Sequence, residues 1–265
     1  LYVFLPPLWG QMSWEQAAND LKALPFNFPS MAGHLWFMYP LISLYLIMPV
    51  ISPWLEKAAP KEERIFIGIF AISTTVPWLV RFVSTDLWGW CFWNPYFGML
   101  YYCSGYIGYL VIAHYIRTHL DWSQTRRMAT GLPCFIIGGA FTAWSFWIKA
   151  VPQHTIESTM IEWSWEFCTP NVLLATFGAF LMFTCIKQTK APRLVTDISK
   201  LTFGMYLMHM FFLSNISAFF INGNQAEPLI PVWLAIPCTA ILSYLCCAAT
   251  TKVISFIPGS KWLIG

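Results

Sequence analysis

"GHLWFMYPLISLYLIMPVISPW", residues 33–54, decides the fold class. After His34 the stretch carries no charged side chain, and the next is Glu56. A run this long and apolar matches the ~20 residues a helix needs to cross a ~30 Å hydrocarbon core. A backbone inside lipid must satisfy its own hydrogen bonds, so the run reads as a helix. His34 stands at its edge, either as an interfacial side chain or as part of a reactive centre where helix meets water.

The rest of the chain agrees. Of its residues 57% are hydrophobic and 10% charged, with a mean hydropathy of +0.57, whereas soluble domains carry about a quarter charged residues. That excludes a soluble enzyme and indicates an integral membrane protein. The 15 Trp, 22 Phe and 11 Tyr supply rings that collect where hydrocarbon meets headgroups. Apolar segments of spanning length lie at about 35–55, 64–83, 96–116, 128–149, 171–187, 201–221 and 229–250. Each is continuous, unlike the ten-residue alternation of a membrane barrel. The expected fold is therefore all-α, a polytopic transmembrane bundle with seven complete spans. The opening run "LYVFLPPLWG" is too short to span and reads as the outer end of a further helix. No signal peptide, low-complexity linker or fixed-period repeat is visible, so one integral membrane domain over residues 1–265 is expected.

Basic residues set the expected orientation. All 15 Lys and Arg except Lys22, Arg81 and Lys149 fall in "LEKAAPKEER", "RTHLDWSQTRR", "KQTKAPRLVTDISK" and the C-terminal end. These segments should be cytoplasmic. The alternate loops hold Asp86, Glu157, Glu162, Glu166 and Glu227 and should face outward. In the outer stretch 11–33, "SWEQAANDLKAL" has an N-cap serine, an early acidic residue and apolar side chains at helical spacing, which predicts a short surface helix. Most of the eight cysteines fall inside spans and read as small packing residues. Cys91 and Cys168 sit in outer loops, where a disulfide is chemically permitted.

Two places combine residues suited to chemistry. His34 enters the first complete span beside Trp36 and Tyr39, and at 100° per residue Tyr45 returns to nearly the same face. The same residues also suit an aromatic belt around a headgroup-solvated histidine. In "SKLTFGMYLMHMFFLSNISAFF", Ser199, Thr202, Tyr206, His209, Leu213 and Ser217 fall within a stripe of about 80°. His209 lies about 12 Å from the inner end, where an ionisable side chain marks a functional hypothesis. Interhelical hydrogen bonding is the alternative explanation of that stripe. Arg81 in "VPWLVRF", with Glu162 and Glu166 in "IEWSWEFCTP", reads as an ion-pairing or ligand-binding set or as snorkelling side chains. Lys149 reads as snorkelling.

Metal-ligand spacing, a phosphate-cradling glycine loop and a nucleophile elbow are all missing from the sequence patterns. His114 and His119, five apart beside an inner loop, lack zinc-helix spacing and read as solvated loop residues. The basic loops lack aromatic interleaving, so nucleic acid is not an expected partner.

"GHLWFMYPLISLYLIMPVISPWL" resembles the His-x-Trp-aromatic segment of the membrane acyltransferase-3 family, which includes bacterial O-acetyltransferases of surface polysaccharides. "SKLTFGMYLMHMFFL" resembles that family's Ser-x-x-(Ser/Thr)-Phe-Gly-hydrophobic-Tyr-Leu-hydrophobic-His segment, and "YYCSGYIGYLVIAHYI" its Gly-Tyr-rich middle helix. The matches lie in the right order and cover residues 30–265. The family fold is a bundle of about ten helices with both termini cytoplasmic. This implies two more helices and most of a third upstream, among them the family's first helix with its catalytic histidine.

The resemblance implies transfer of an acyl group, acetyl above all, from acyl-CoA on the cytoplasmic side to a hydroxyl of a saccharide or lipid-linked saccharide near the outer face. It implies no bound cofactor, membrane lipid as the surroundings, and a multi-pass protein of the bacterial inner (plasma) membrane with a cytoplasmic C-terminus. His34 and His209 are the expected catalytic residues. Trp36, Tyr39, Tyr45, Arg81, Glu166, Thr202 and Tyr206 are the expected substrate-binding residues, and no metal ligands are expected. The sequence leaves open which histidine serves the acceptor and which the thioester. A transporter or flippase is the alternative, although only one span is broken by prolines and no matched half accompanies it. A seven-helix receptor fits less well, because such a chain would begin with a soluble tail.

Overall fold

The computed structural model describes residues 2–83, 98–150, 162, 164–186, 190–221 and 229–260. In chain order the elements are α1 (Leu5–Leu8), α2 (Trp14–Ala23), a 3₁₀ turn (Gly33–Phe37) continuing into α3 (Met38–Lys57), and α4 (Pro60–Val83). A second 3₁₀ turn (Gly98–Cys103) follows, then α5 (Ile107–Thr118), α6 (Gln124–Ala150), α7 (Pro170–Phe183), α8 (Arg193–Ser199), α9 (Thr202–Ile221) and α10 (Val232–Ile254). The described residues are helical with no strand, as expected.

Four of these helical segments are long and apolar enough to cross a membrane: Gly33–Lys57, Gln124–Lys149, Thr202–Phe220 and Val232–Ile254. Helix α7 is apolar but shorter, and α4 has 24 residues, about 36 Å at 1.5 Å per residue, with charged residues in its first turns. The expected span at 96–116 is not one helix. It is split at Ser104 and Gly105, where Gly105 adopts φ +84°, and the 12 residues of α5 reach only about 18 Å. Serine and glycine do not interrupt an apolar run, so hydropathy passed over the break.

The chain forms two compact units, residues 1–41 with 188–265, and residues 42–187. In the first unit α2 forms as its sequence predicts. Ser13 is the N-cap and its hydroxyl accepts the Gln16 N–H at 3.1 Å. The segment after α2 is tied back by Asp20, whose carboxylate accepts both the N–H and the hydroxyl of Ser30 at 2.9 and 2.8 Å. Helix α10 buries Ala235, Thr239, Ser243, Cys247 and Thr251, one residue in four. A row of small side chains permits close helix approach, and along it the Thr251 hydroxyl donates to Met208 Sδ of α9 at 3.8 Å.

In the second unit Phe70 of α4, Ile112 and Ile116 of α5, and Leu181 of α7 form the core. Gly108 leaves room for the Phe70 ring, since a Cβ there would stand 2.3 Å from it. Helices α6 and α7 meet backbone to backbone: a Cβ on Gly178 would lie 2.5 Å from the Gly131 carbonyl, and one on Gly138 would lie 2.5 Å from the Asn171 carbonyl. Buried Asn171 donates to Thr142 Oγ1 at 2.8 Å and to the Ser164 carbonyl at 2.9 Å. Lys149, expected to snorkel, donates to Ser164 Oγ at 3.3 Å.

His114 and His119 are not solvated loop residues. His114 lies inside α5 and His119 is its C-cap, and both ring systems meet the fully buried carboxylate of Glu63 in α4. The partner is 51 and 56 residues away, a separation no local spacing rule detects.

Candidate active site

The first unit brings both predicted histidines together. His34 sits in the 3₁₀ turn before α3 and His209 seven residues into α9, about 10 Å along the helix. Their rings meet edge to face, with centroids 4.9 Å apart. Tyr206, one turn before His209, joins them. Its hydroxyl donates to the His34 carbonyl at 2.7 Å, and its own carbonyl lies 2.7 Å from His209 Nδ1. A carbonyl only accepts, so Nδ1 of His209 carries the proton and neutral His209 keeps its lone pair on Nε2.

Tyr2 approaches from the start of the chain. Its ring packs edge to face on His34 with centroids 4.9 Å apart, and its oxygen accepts the Phe211 N–H at 3.1 Å. His34 Nε2 is buried without a hydrogen-bond partner among the described residues. A buried polar atom left this way costs about 1–3 kcal/mol unless something meets it.

Each histidine lines its own cavity. One, of about 440 Å³, is bounded by His34, Gly33, Tyr2, Trp9, Ser214 and Asn215. The other, of about 420 Å³, lies between α9 and α10 and is bounded by Thr202, Tyr206, His209, Leu213, Ser243 and Cys247. The predicted stripe on α9 thus faces a real cavity from Thr202 to Leu213. Ser199 ends α8 instead, its hydroxyl donating to the Thr196 carbonyl at 2.8 Å. The Thr202 hydroxyl donates to the Ser199 carbonyl at 2.7 Å.

Other predicted residues are placed elsewhere. Tyr39 donates to the Leu24 carbonyl at 2.8 Å and packs against Phe28, so its position fastens the chain after α2. Trp36 packs edge to face on Phe37 and is 40% exposed. Tyr45 belongs to the second unit and is 69% exposed. The 3₁₀ turn Gly33–Phe37 holds His34, and α3, which carries Tyr45, begins after it. Glu166 also lies in the second unit, where its carbonyl accepts the Thr169 hydroxyl at 2.7 Å. Arg81 is in α4 with its side chain outside the described residues, as are Cys91, Asp86, Glu157 and Glu227 entirely. Cys168 is a buried free thiol, pushed up to about 12 by desolvation, and stays neutral at physiological pH.

Sequence reasoning missed Tyr2 and the α10 wall. Tyr2 carried no signal, because it meets Phe211 across 209 positions. The wall had one: Thr239, Ser243, Cys247 and Thr251 recur every fourth residue in a mostly apolar helix.

A family model described as an acyltransferase domain matches residues 1–252. No curated protein and no solved structure matches the chain. Because the family match runs continuously through the segments that supply both histidines and ends only shortly before the C-terminus, the chain belongs to the acyltransferase-3 family and is a multi-pass membrane protein of acyltransferase type.

Proposed function

We propose that this protein transfers an acyl group, acetyl, from acyl-CoA to a hydroxyl of a surface saccharide or lipid-linked saccharide, in the bacterial inner membrane with its C-terminus cytoplasmic. The observation that carries this reading is the pair of cavities whose walls contain the two imidazoles in ring contact. A transferase with substrates on opposite membrane faces needs two approaches that end at one reacting centre. Imidazole suits that centre because its pKa lies near operating pH.

In this reading the acceptor hydroxyl oxygen attacks the thioester carbonyl carbon, and its proton passes to an imidazole nitrogen. The C–S bond then breaks, the acyl group stays on the acceptor oxygen, and the proton goes to the departing CoA thiolate. His209 has the prepared base, because Tyr206 fixes its proton on Nδ1. His34, with its buried Nε2 and its cavity bordered by Ser214, Asn215 and Trp9, is assigned to the acceptor. Thr202 and Tyr206 line the donor side.

Acceptor-dependent CoA release by the full-length protein tests this. His34→Ala should impair transfer while leaving binding of a CoA analogue nearly intact. His34→Gln separates two roles, since an amide keeps hydrogen bonding but takes up no proton at neutral pH. Loss with both variants indicates proton transfer, and rescue by Gln indicates acceptor positioning. Acceptor movement across the membrane without CoA release would replace the reading with a transporter.

A further inference from the structure

We propose that Glu63, His114 and His119 form a binding site for a divalent transition-metal ion, zinc by preference, which fastens the first turn of α4 to the end of α5. His114 Nδ1 lies 3.1 Å from both carboxylate oxygens of Glu63, and His119 Nε2 lies 3.0 Å from Oε1. One donor atom from each of the three residues falls within 4.8 Å of the other two. Tetrahedral zinc with bonds near 2.0–2.1 Å holds its ligand atoms about 3.3 Å apart, so the observed spacing needs only small adjustments. Two imidazoles with one carboxylate make a zinc ligand set that leaves a fourth position for water.

The charge of Glu63 points the same way. Its side chain is 0% exposed, and a buried carboxylate is costly unless paired. It is not occupied in capping, because the neighbouring Glu62 does that work by accepting the Ala59 N–H at 2.9 Å. Both imidazoles meet the Glu63 carboxylate within hydrogen-bond distance. A divalent ion would place two positive charges against it, and the nitrogens now facing the carboxylate become the ligands. His114 and His119 are five apart and would diverge on a continuous helix. They converge because α5 ends at Thr118 and His119 is its cap.

The test uses the full-length protein in detergent, stripped with chelator and dialysed against zinc at neutral pH. One zinc per chain should remain by elemental analysis, with a raised thermal midpoint. Cobalt in its place should give the visible absorption bands of a low-coordinate site. His114→Ala and His119→Ala should each weaken zinc binding by more than about 10², since changes even one shell beyond the ligands cost 10–100-fold. Failure of the wild-type protein to retain zinc or cobalt would overturn the proposal whatever the variants do. So would zinc binding with equal affinity in both folded variants.

Discussion

Tyr206 illustrates how one residue organises this site at two ends. Its hydroxyl holds the His34 carbonyl while its backbone carbonyl sets the proton on His209. Tyr206→Phe removes only the first link. It should cost about 1 kcal/mol of stability, the usual net value of one hydrogen bond. Turnover should fall several-fold as the His34 turn loosens, well short of the ~10² expected for loss of an acid–base group. Thermal unfolding beside CoA release separates the two effects, and an unchanged thermal midpoint would show that the link carries no load. At this scale the shared face of α9 was readable because periodicity is local: Thr202, Tyr206, His209 and Leu213 recur on it and line one cavity. Tyr2 and the pairing of Glu63 with two histidines were not readable, because both depend on contacts between distant segments.

Among the elements, α6 and α7 show what holds helices together where lipid is as apolar as the side chains. Their approach is set by Gly131, Gly138 and Gly178, with backbone atoms where any Cβ would go. Gly178→Ala should therefore destabilise the protein by about 1–3 kcal/mol, the range for overpacking. Gly139→Ala, in the same helix α6 but with nothing within 4 Å of the added carbon, should be neutral or stabilise by up to about 1 kcal/mol. Thermal unfolding of the two variants in one detergent checks this, and equal destabilisation would show that helix contact is not the cause. The α2 helix, its serine cap and the long apolar helices were legible in residue types and run length. The split at Ser104 and Gly105 and the 3₁₀ turn at Gly33–Phe37 were not, because a short change of backbone conformation alters neither hydropathy nor composition.

For the whole molecule, the proposed two-sided reaction depends on an orientation that the distribution of Lys and Arg predicts. The basic segments 56–63, 118–126 and 188–199 are expected to be cytoplasmic. Single cysteines placed in each, in a background without native thiols, should resist impermeant maleimide in intact cells and react after permeabilisation. Labelling of any one in intact cells would reverse the orientation and with it the assignment of donor and acceptor sides. The central claim is that the paired imidazoles do acid–base work in acyl transfer. It is tested most directly by acceptor-dependent CoA release from full-length His209→Ala, normalised to folded protein. A fall of about 10² or more is the predicted result. Near-normal turnover per folded molecule would contradict the account and leave His209 as a packing residue of α9.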